Sequence, residues 1–233
     1  MRAASEAESM MVLATFRAPK LNPLWRGTSG GATFYPVIVA LDPPPNKGWE
    51  WALEIARRLK GRVKAFKVGW PLLLEGNRVG ELKEFGEVIA DLKLADIGYT
   101  MVNVVKRVGA DAYIAHAFVG RDALRELREE VKRLYLVVSM SHEGSREFID
   151  LHWREFVLEA YELADGIVAP ATRPKVIEKI RRIWPREIIS PGIGAQGAHP
   201  CSAIRAGADY EIVGRSLTRA RDPLEFLEAH YPC

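Results

Sequence analysis

Three charged side chains, Asp91, Lys93 and Asp96, interrupt the otherwise apolar segment Ile89–Ile97. Side chains alternate between the two faces of a strand, so we expect Asp91 and Lys93 to share a face, with Asp96 at the strand's end. An unpaired buried charge costs several kcal/mol, so these groups are expected to pair with one another. The alternative is a structural ion pair on a solvent-exposed edge.

A fourth charge, Lys67, closes the preceding apolar segment Val63–Val68. A lysine at the end of a buried strand needs an anionic partner, and Asp91 on the neighbouring strand would supply it. The charges of Lys67, Asp91, Lys93 and Asp96 would then alternate in sign, which favours the ammonium form of Lys93. A positioned ammonium can donate a proton to a developing carbanion. A purely structural tetrad is the alternative.

Eight apolar segments of strand length recur from Pro36 onward, separated by segments with helical periodicity. They are Val37–Asp42, Val63–Val68, Ile89–Ile97, Ala112–Ala117, Leu134–Met140, Gly166–Pro170, Glu187–Ser190 and Tyr210–Val213. This alternation predicts parallel βαβ units that close into a single-domain (β/α)8 TIM barrel of the α/β class, over residues 34–233. An open doubly wound sheet is the alternative, but no G-x-G-x-x-G follows the first strand. Residues 1–33 are predicted to be an N-terminal extension, poorly ordered or loosely packed.

Polar residues gather at the predicted carboxyl ends of these strands, where barrels of this class carry their active sites. The strand ends carry Asp42, Lys67, Asp91 with Lys93, His116, Ser141, Pro170, the Ser190-Pro191-Gly192 turn and Gly214-Arg215. The glycine-rich segment Ile193–Ala198 and the Gly214-Arg215 pair follow the seventh and eighth strands, the usual position of a phosphate site. Glycines let backbone N–H groups approach an anion, and Arg215 can bind it bidentately. A plain tight turn is the alternative for the glycine-rich segment.

The composition excludes several other classes of function. Basic residues number 33 and acidic residues 30, and no basic run with interleaved aromatics indicates a nucleic-acid partner. No segment approaches the roughly 20 apolar residues of a membrane span. Cys201 and Cys233 have neither metal-ligand spacing nor the pattern of a disulfide framework, and no signal peptide is evident, so we expect a reducing cytoplasm. No set of His, Cys and carboxylate residues has metal-site spacing, so no metal is predicted.

Several motifs in the same order resemble the orotidine 5′-phosphate decarboxylase family, particularly its short archaeal form. The resemblance runs from about Pro36 to the end of the chain. It is carried by Ala40-Leu41-Asp42, Phe66-Lys67-Val68-Gly69, Asp91-Leu92-Lys93-Leu94-Ala95-Asp96-Ile97, Met140-Ser141-His142, Ala169-Pro170-Ala171-Thr172-Arg173-Pro174, Ser190-Pro191-Gly192-Ile193-Gly194-Ala195-Gln196-Gly197 and Val213-Gly214-Arg215-Ser216.

The resemblance implies decarboxylation of orotidine 5′-phosphate to uridine 5′-phosphate, the last step of pyrimidine synthesis, without a cofactor or metal. Lys93 would protonate C6 of the pyrimidine as carbon dioxide leaves, and Asp91 would face the departing carboxylate. Lys67 would pair with Asp91, and with Asp42 would bind the ribose hydroxyls. Ser141 would contact the pyrimidine.

The resemblance also implies a phosphate site and a shared dimer site. Gln196 and Arg215 would bind the phosphate as the loop at the phosphate site closes. In the family, residues matching Asp96 and Thr100 reach into the neighbouring subunit's site, which implies a homodimer. The implied substrate contacts are together Asp42, Lys67, Ile97, Thr100, Ser141, Pro191, Gly192, Gln196, Gly214 and Arg215.

The chain departs from the family pattern at two places, and two rival functions share its fold. Gly98-Tyr99 stands where the family has Pro-Asn, and Glu143 stands where it has proline in Ser-His-Pro-Gly. The first rival is a magnesium-dependent sugar-phosphate enzyme, such as keto-gulonate phosphate decarboxylase or hexulose phosphate synthase, but these resemble one another in placing an acid where this chain has Lys67. The second is a catalytically silent protein that binds a phosphorylated ligand, for which a broken charge set is expected.

Overall fold

The computed structural model describes residues 33–233, and these form a closed barrel of eight parallel strands in the order β1 to β8. The strands are β1 (Tyr35–Ala40), β2 (Val63–Val68), β3 (Val88–Leu94), β4 (Ala112–His116), β5 (Arg133–Val137), β6 (Gly166–Val168), β7 (Glu187–Pro191) and β8 (Tyr210–Val213). The predicted (β/α)8 barrel is therefore confirmed. The extension predicted over residues 1–33 lies, apart from its last residue, outside the described residues.

Helices connect the strands and surround the barrel. They are α1 (Trp49–Leu59), α2 (Trp70–Leu73), α3 (Val79–Leu82), α4 (Gly98–Val108), α5 (Arg121–Glu130), α6 (Trp153–Leu163), α7 (Pro174–Arg181), α8 (Ser202–Ala206), α9 (Arg215–Thr218) and α10 (Pro223–His230). Within residues 33–233 none of the helices is both long and apolar enough to cross a bilayer.

Each strand contributes to two separate cores because its side chains alternate between the inside and the outside of the barrel. On β1, Ile38 and Ala40 belong to the cluster inside the barrel, whereas Val37 and Val39 pack in the larger cluster between barrel and helices. Both faces of the strand are therefore apolar and buried, which explains the continuous apolar runs in the sequence.

The same two-residue step carries the inner face from apolar to polar at the carboxyl end of the barrel. Ala65 and Ile89 belong to the interior cluster. Two residues further along their strands lie Lys67, after Ala65, and Asp91, after Ile89. Neighbouring strands pair in parallel, with Lys67 opposite Ile89, so both charged side chains enter the same end of the barrel. Strand register thus fixes where the charged cluster forms.

The connection after β5 differs from its prediction. The strand ends at Val137 and not at Met140, and two 3-10 turns, Glu143–Glu147 and Ile149–Leu151, precede α6. The side chain of Ser145 donates to Asp150 Oδ2 at 2.7 Å, and Arg173 binds Ser145, the carbonyl of His142 and Asp150. These local side-chain bonds replace the backbone ladder that a longer strand would need.

The cysteines also differ from their prediction, because Cys201 and Cys233 form a disulfide with Cα atoms 5.9 Å apart. The prediction of no disulfide was wrong, since the pairing depends on tertiary contact across 32 positions and not on a spacing motif. The backbone N–H groups of Cys201 and Ala203 donate to the buried Glu211 carboxylate at 2.9 and 2.8 Å. The disulfide therefore anchors the C-terminal segment beside α8 and β8.

Reduction of this disulfide is expected to lower the free energy of unfolding of the chain by about 3 to 4 kcal/mol, because it releases a constraint on the unfolded state. Denaturant titration with and without dithiothreitol measures the loss. The double variant Cys201→Ser/Cys233→Ser is the control. Its free energy of unfolding should equal that of the reduced protein and should not change when dithiothreitol is added. Equal stability of the oxidised and reduced protein would contradict the expectation.

Candidate active site

A cavity of about 460 Å³ opens at the carboxyl ends of the strands. It brings together most of the residues singled out in the sequence, contributed by β2, β3 and β7 and by the segments that follow β1, β5, β7 and β8. Those that line it are Asp42, Lys67, Asp91, Lys93, Ser141, Pro191, Gly192, Gln196, Gly214 and Arg215.

A carboxylate shared by two ammonium groups lies at the centre of this cavity. Lys67 Nζ is 3.1 Å from Asp91 Oδ2, and Lys93 Nζ donates to Asp91 Oδ1 at 2.9 Å and to Oδ2 at 3.0 Å. Lys67 Nζ also lies 3.8 Å from Asp42 Oδ1. The expected pairing of Lys67, Asp91 and Lys93 is therefore present in a single chain.

Burial and charge act in opposite directions on this cluster. The side chains of Lys67 and Asp91 are each 9% exposed, whereas that of Lys93 is 43% exposed. Burial would raise the pKa of Asp91, but the ammonium groups of Lys67 and Lys93 outweigh it and hold that pKa below 3.8. Burial would lower the pKa of Lys67, but Asp91 and Asp42 outweigh it and raise that pKa above 10.5.

These two pKa shifts define the pH range in which Asp91 and Lys67 are both charged. The contribution of Asp91 to stability is present above its unfolded pKa, near 3.8, and is lost as the pH falls through the lower folded value. The contribution of Lys67 is present below 10.5 and is lost as the pH rises through the higher folded value. Both groups are therefore charged throughout the range between these limits.

Lys93 reaches Asp91 through an irregular backbone. Asp91 pairs with Ile114 and Leu94 with Ala115, so β3 carries two extra residues relative to β4, and Lys93 has φ +45°. A non-glycine residue at positive φ is uncommon and carries a conformational cost. The expected contact is present, but the regular alternation from which it was predicted is interrupted here.

The glycine-rich loop after β7 is closed by its own hydrogen bonds. Gly194 N–H donates to Ala198 O and Gly197 N–H donates to Gly194 O, both at 2.8 Å. These two amides are therefore occupied within the loop, whereas the prediction that backbone N–H groups of the loop bind an anion stays a prediction for its other amides. Gly194, at φ +70°, instead allows close packing, since a Cβ there would lie 2.7 Å from Ser216 Oγ. Gln196 and Arg215 remain as exposed polar side chains of the cavity.

Asp96, Ile97 and Thr100 do not line the cavity of a single chain. Asp96 Oδ1 accepts a hydrogen bond from the Ile97 N–H at 2.7 Å, and within residues 33–233 Asp96 makes no ion pair. The alternating row of charges therefore ends at Lys93 within one chain. Ile97 and the adjacent Tyr99 are 65% and 72% exposed, so this segment presents apolar surface outward.

Sequence analysis did not name several cavity residues as site residues, among them Ser139, Met140 and Arg219. Ser139 follows the interior residue Val137 by two positions, so strand periodicity carried a signal for it. Its buried hydroxyl donates to Asp150 Oδ1 at 2.7 Å. Arg219 follows Arg215 by four positions, which is the spacing of neighbours on one helix face.

His116 ends β4 and is buried, with Nδ1 lacking a hydrogen-bond partner within the described part of the chain. Burial, together with the positive charge of Lys93, lowers the pKa of His116 to about 4. The imidazole is therefore neutral at neutral pH. Over residues 33–233, no group of three or more His, Cys, Asp and Glu side chains is arranged to hold a metal ion.

A barrel mouth with a charged centre and an arginine-bearing loop after β8 is typical of (β/α)8 enzymes that act on phosphorylated ligands. Comparison with known proteins identifies the group more closely. The family model described as "Orotidine 5′-phosphate decarboxylase / HUMPS family" matches residues 35–230. The chain belongs to this family.

Relatives with the same printed name come from several archaea. The orotidine 5′-phosphate decarboxylase of Pyrococcus furiosus is 40% identical over 200 residues, covering 81% of this chain and 92% of that protein. The protein of that name from Aeropyrum pernix is 44% identical over 207 residues, covering 82% of this chain and 85% of its own length.

Solved structures agree with the fold. Orotidine 5′-monophosphate decarboxylase from Metallosphaera sedula aligns with a TM-score of 0.74 at 41% identity, covering 85% of this chain and 96% of that one. The enzyme from Methanocaldococcus jannaschii, solved in complex with the inhibitor BMP, aligns with a TM-score of 0.77 at 33% identity, covering 84% and 96%.

Proposed function

We propose that the chain decarboxylates orotidine 5′-phosphate to uridine 5′-phosphate and carbon dioxide, without a metal or organic cofactor. The observation that carries the proposal is the shared Asp91 carboxylate, bound by Lys67 and Lys93 in a cavity that also holds Gln196 and Arg215. The printed names of the relatives support the same reaction.

The reaction breaks the bond between C6 and the carboxyl carbon, and the electron pair of that bond stays on C6. The resulting carbanion has no electron sink in the ring, so fixed charge in a water-poor site must stabilise it. Lys93 then gives C6 a proton from its ammonium group. Asp91 holds Lys93 in position and lies beside the departing carboxylate, while Lys67 keeps Asp91 ionised.

The remaining cavity residues bind the parts of the substrate that do not react. Lys67 and Asp42 contact the ribose hydroxyls, Ser141 contacts the pyrimidine, and the phosphate lies against Gln196 and Arg215. Pro191, Gly192 and Gly214 complete these contacts from the backbone and wall of the cavity. Phosphate binding far from C6 contributes free energy that offsets the placement of a carboxylate beside Asp91.

The magnesium-dependent rival fits the site less well, although the description of the matching family also covers HUMPS. A hard divalent cation takes oxygen ligands, and the end of β2 carries an ammonium group, Lys67, 3.1 Å from Asp91. The Asp91 carboxylate is thus already engaged by two cations of the chain itself. The silent-protein alternative is disfavoured because the charge set is intact.

A homodimer completes the proposal. Asp96, Ile97 and Thr100 lie outside the cavity of their own chain, next to the exposed Tyr99. In a two-fold dimer this segment would reach the neighbouring cavity, where Asp96 would extend the row of charges beyond Lys93. We also propose a cytoplasmic location. Disulfides do occur in some intracellular proteins, namely those of hyperthermophiles, so the disulfide does not conflict with this location.

Lys93→Ala is expected to lower the rate of decarboxylation by at least about 10⁴-fold, because the variant loses both the proton donor and its positive charge. The loss of orotidine 5′-phosphate is followed by absorbance, and binding of uridine 5′-phosphate is measured by calorimetry. Binding should persist in the variant. Lys60→Ala, at an exposed position remote from the cavity, is the matched control and should behave as wild type.

The same assay tests the proposal as a whole. Activity of the wild-type chain should be unchanged by a chelator. Substantial decarboxylation by Lys93→Ala would contradict the role of Lys93 as proton donor, and chelator-sensitive activity of the wild-type chain would favour the magnesium-dependent rival.

Mixed dimers test the shared site. Asp96→Asn and Lys93→Ala homodimers should each be inactive, but a mixed dimer of the two has one site with both native residues. Equal mixing with subunit exchange should restore about one quarter of the wild-type activity, because half of the dimers are mixed and each has one intact site. A mixture of Asp91→Asn with Lys93→Ala is the control and should restore none. No recovery in the first mixture would contradict sharing of Asp96.

A further inference from the structure

A second arginine, Arg219, lines the active-site cavity together with Arg215. The Arg219 N–H donates to the Arg215 carbonyl at 3.2 Å, which is a helical i to i+4 bond. Residues at this spacing lie above one another on the same side of a helix. The spacing therefore places the two arginines next to each other among the residues that line the cavity.

Neither guanidinium is neutralised within residues 33–233, where no carboxylate lies within 4.0 Å of either. Other arginines of the barrel bind carboxylates, such as Arg128 with Asp165 at 3.0 Å. Like charges four residues apart repel one another. Two unneutralised cations on one wall of a cavity form a site that a multiply charged anion would stabilise.

We propose that Arg219 is a second phosphate-binding residue, which acts with Arg215 to select a phosphate monoester dianion. This inference rests on the proposed function and extends it to a residue outside the family motifs. A phosphate monoester carries nearly two negative charges at neutral pH and three acceptor oxygens. One guanidinium fork takes two of these oxygens, so Arg219 takes the third and neutralises the second charge. The N–H groups of Gly194 and Gly197 already bond within the glycine-rich loop, so these two amides do not supply the remaining contacts.

Calorimetric titration with uridine 5′-phosphate and with uridine tests the proposal on the full chain. Arg219→Ala should weaken binding of uridine 5′-phosphate roughly 10-fold or more, since a charge-assisted hydrogen bond is lost, while binding of uridine is unchanged. Arg219→Lys keeps the positive charge but loses the two-pronged guanidinium. Its affinity for uridine 5′-phosphate should lie between that of Arg219→Ala and that of the wild-type chain. Arg221→Ala removes an equal charge from an exposed position that does not line the cavity, and is the control.

The pH dependence supplies a second readout. Between about pH 5 and 7 the phosphate gains its second charge, so its affinity for the wild-type chain should rise, and the rise should be smaller in Arg219→Ala. Equal affinities of Arg219→Ala and Arg221→Ala for uridine 5′-phosphate would overturn the proposal. It would also be overturned if Arg219→Ala lost as much affinity for uridine as for uridine 5′-phosphate. Failure of the wild-type chain to bind uridine 5′-phosphate at all would instead contradict the proposed function.

Discussion

The site depends on one buried carboxylate that two lysines share. Asp91 is ionised at the carboxyl end of the barrel, above the apolar interior cluster, and the ammonium groups of Lys67 and Lys93 compensate its charge. Removing Asp91 would leave the buried Lys67 ammonium with only Asp42 nearby, at 3.8 Å, and removing Lys67 would leave the buried Asp91 carboxylate with Lys93 alone. Closure of the barrel brings β2 beside β3 in fixed register, which places Lys67 and Asp91 at the same level.

Two sets of polar side chains line the cavity. The charged cluster is held by strand ends, which are rigid, and Lys93 is further fixed by the irregular turn of β3, where the Trp70 indole donates to the Leu92 carbonyl at 3.1 Å. A second set of polar side chains, Gln196, Arg215 and Arg219, is exposed at the cavity and follows β7 and β8. In the proposed reaction the charged cluster would act at C6 and this second set would bind the phosphate.

Much of the fold and of the charged centre could be predicted from the sequence because both follow strand periodicity. Apolar runs with helical spacing between them predict the barrel, and Lys67 and Asp91 each follow an interior residue by two positions. Features that depend on tertiary contact could not be predicted. The positive φ of Lys93, the disulfide between Cys201 and Cys233, and the turns held by Arg173 all arise from neighbours distant in the chain. Within residues 33–233 of one chain Asp96 makes no ion pair, so its predicted place in the charge network stays a prediction.

A crystal structure of the chain with bound uridine 5′-phosphate tests the central claim most directly. The account predicts that pyrimidine C6 lies within about 3 to 3.5 Å of Lys93 Nζ while Lys93 remains bonded to Asp91, with the phosphate against Arg215. A nucleotide bound with C6 directed away from Lys93, or a Lys93 side chain turned away from Asp91 in the complex, would contradict it.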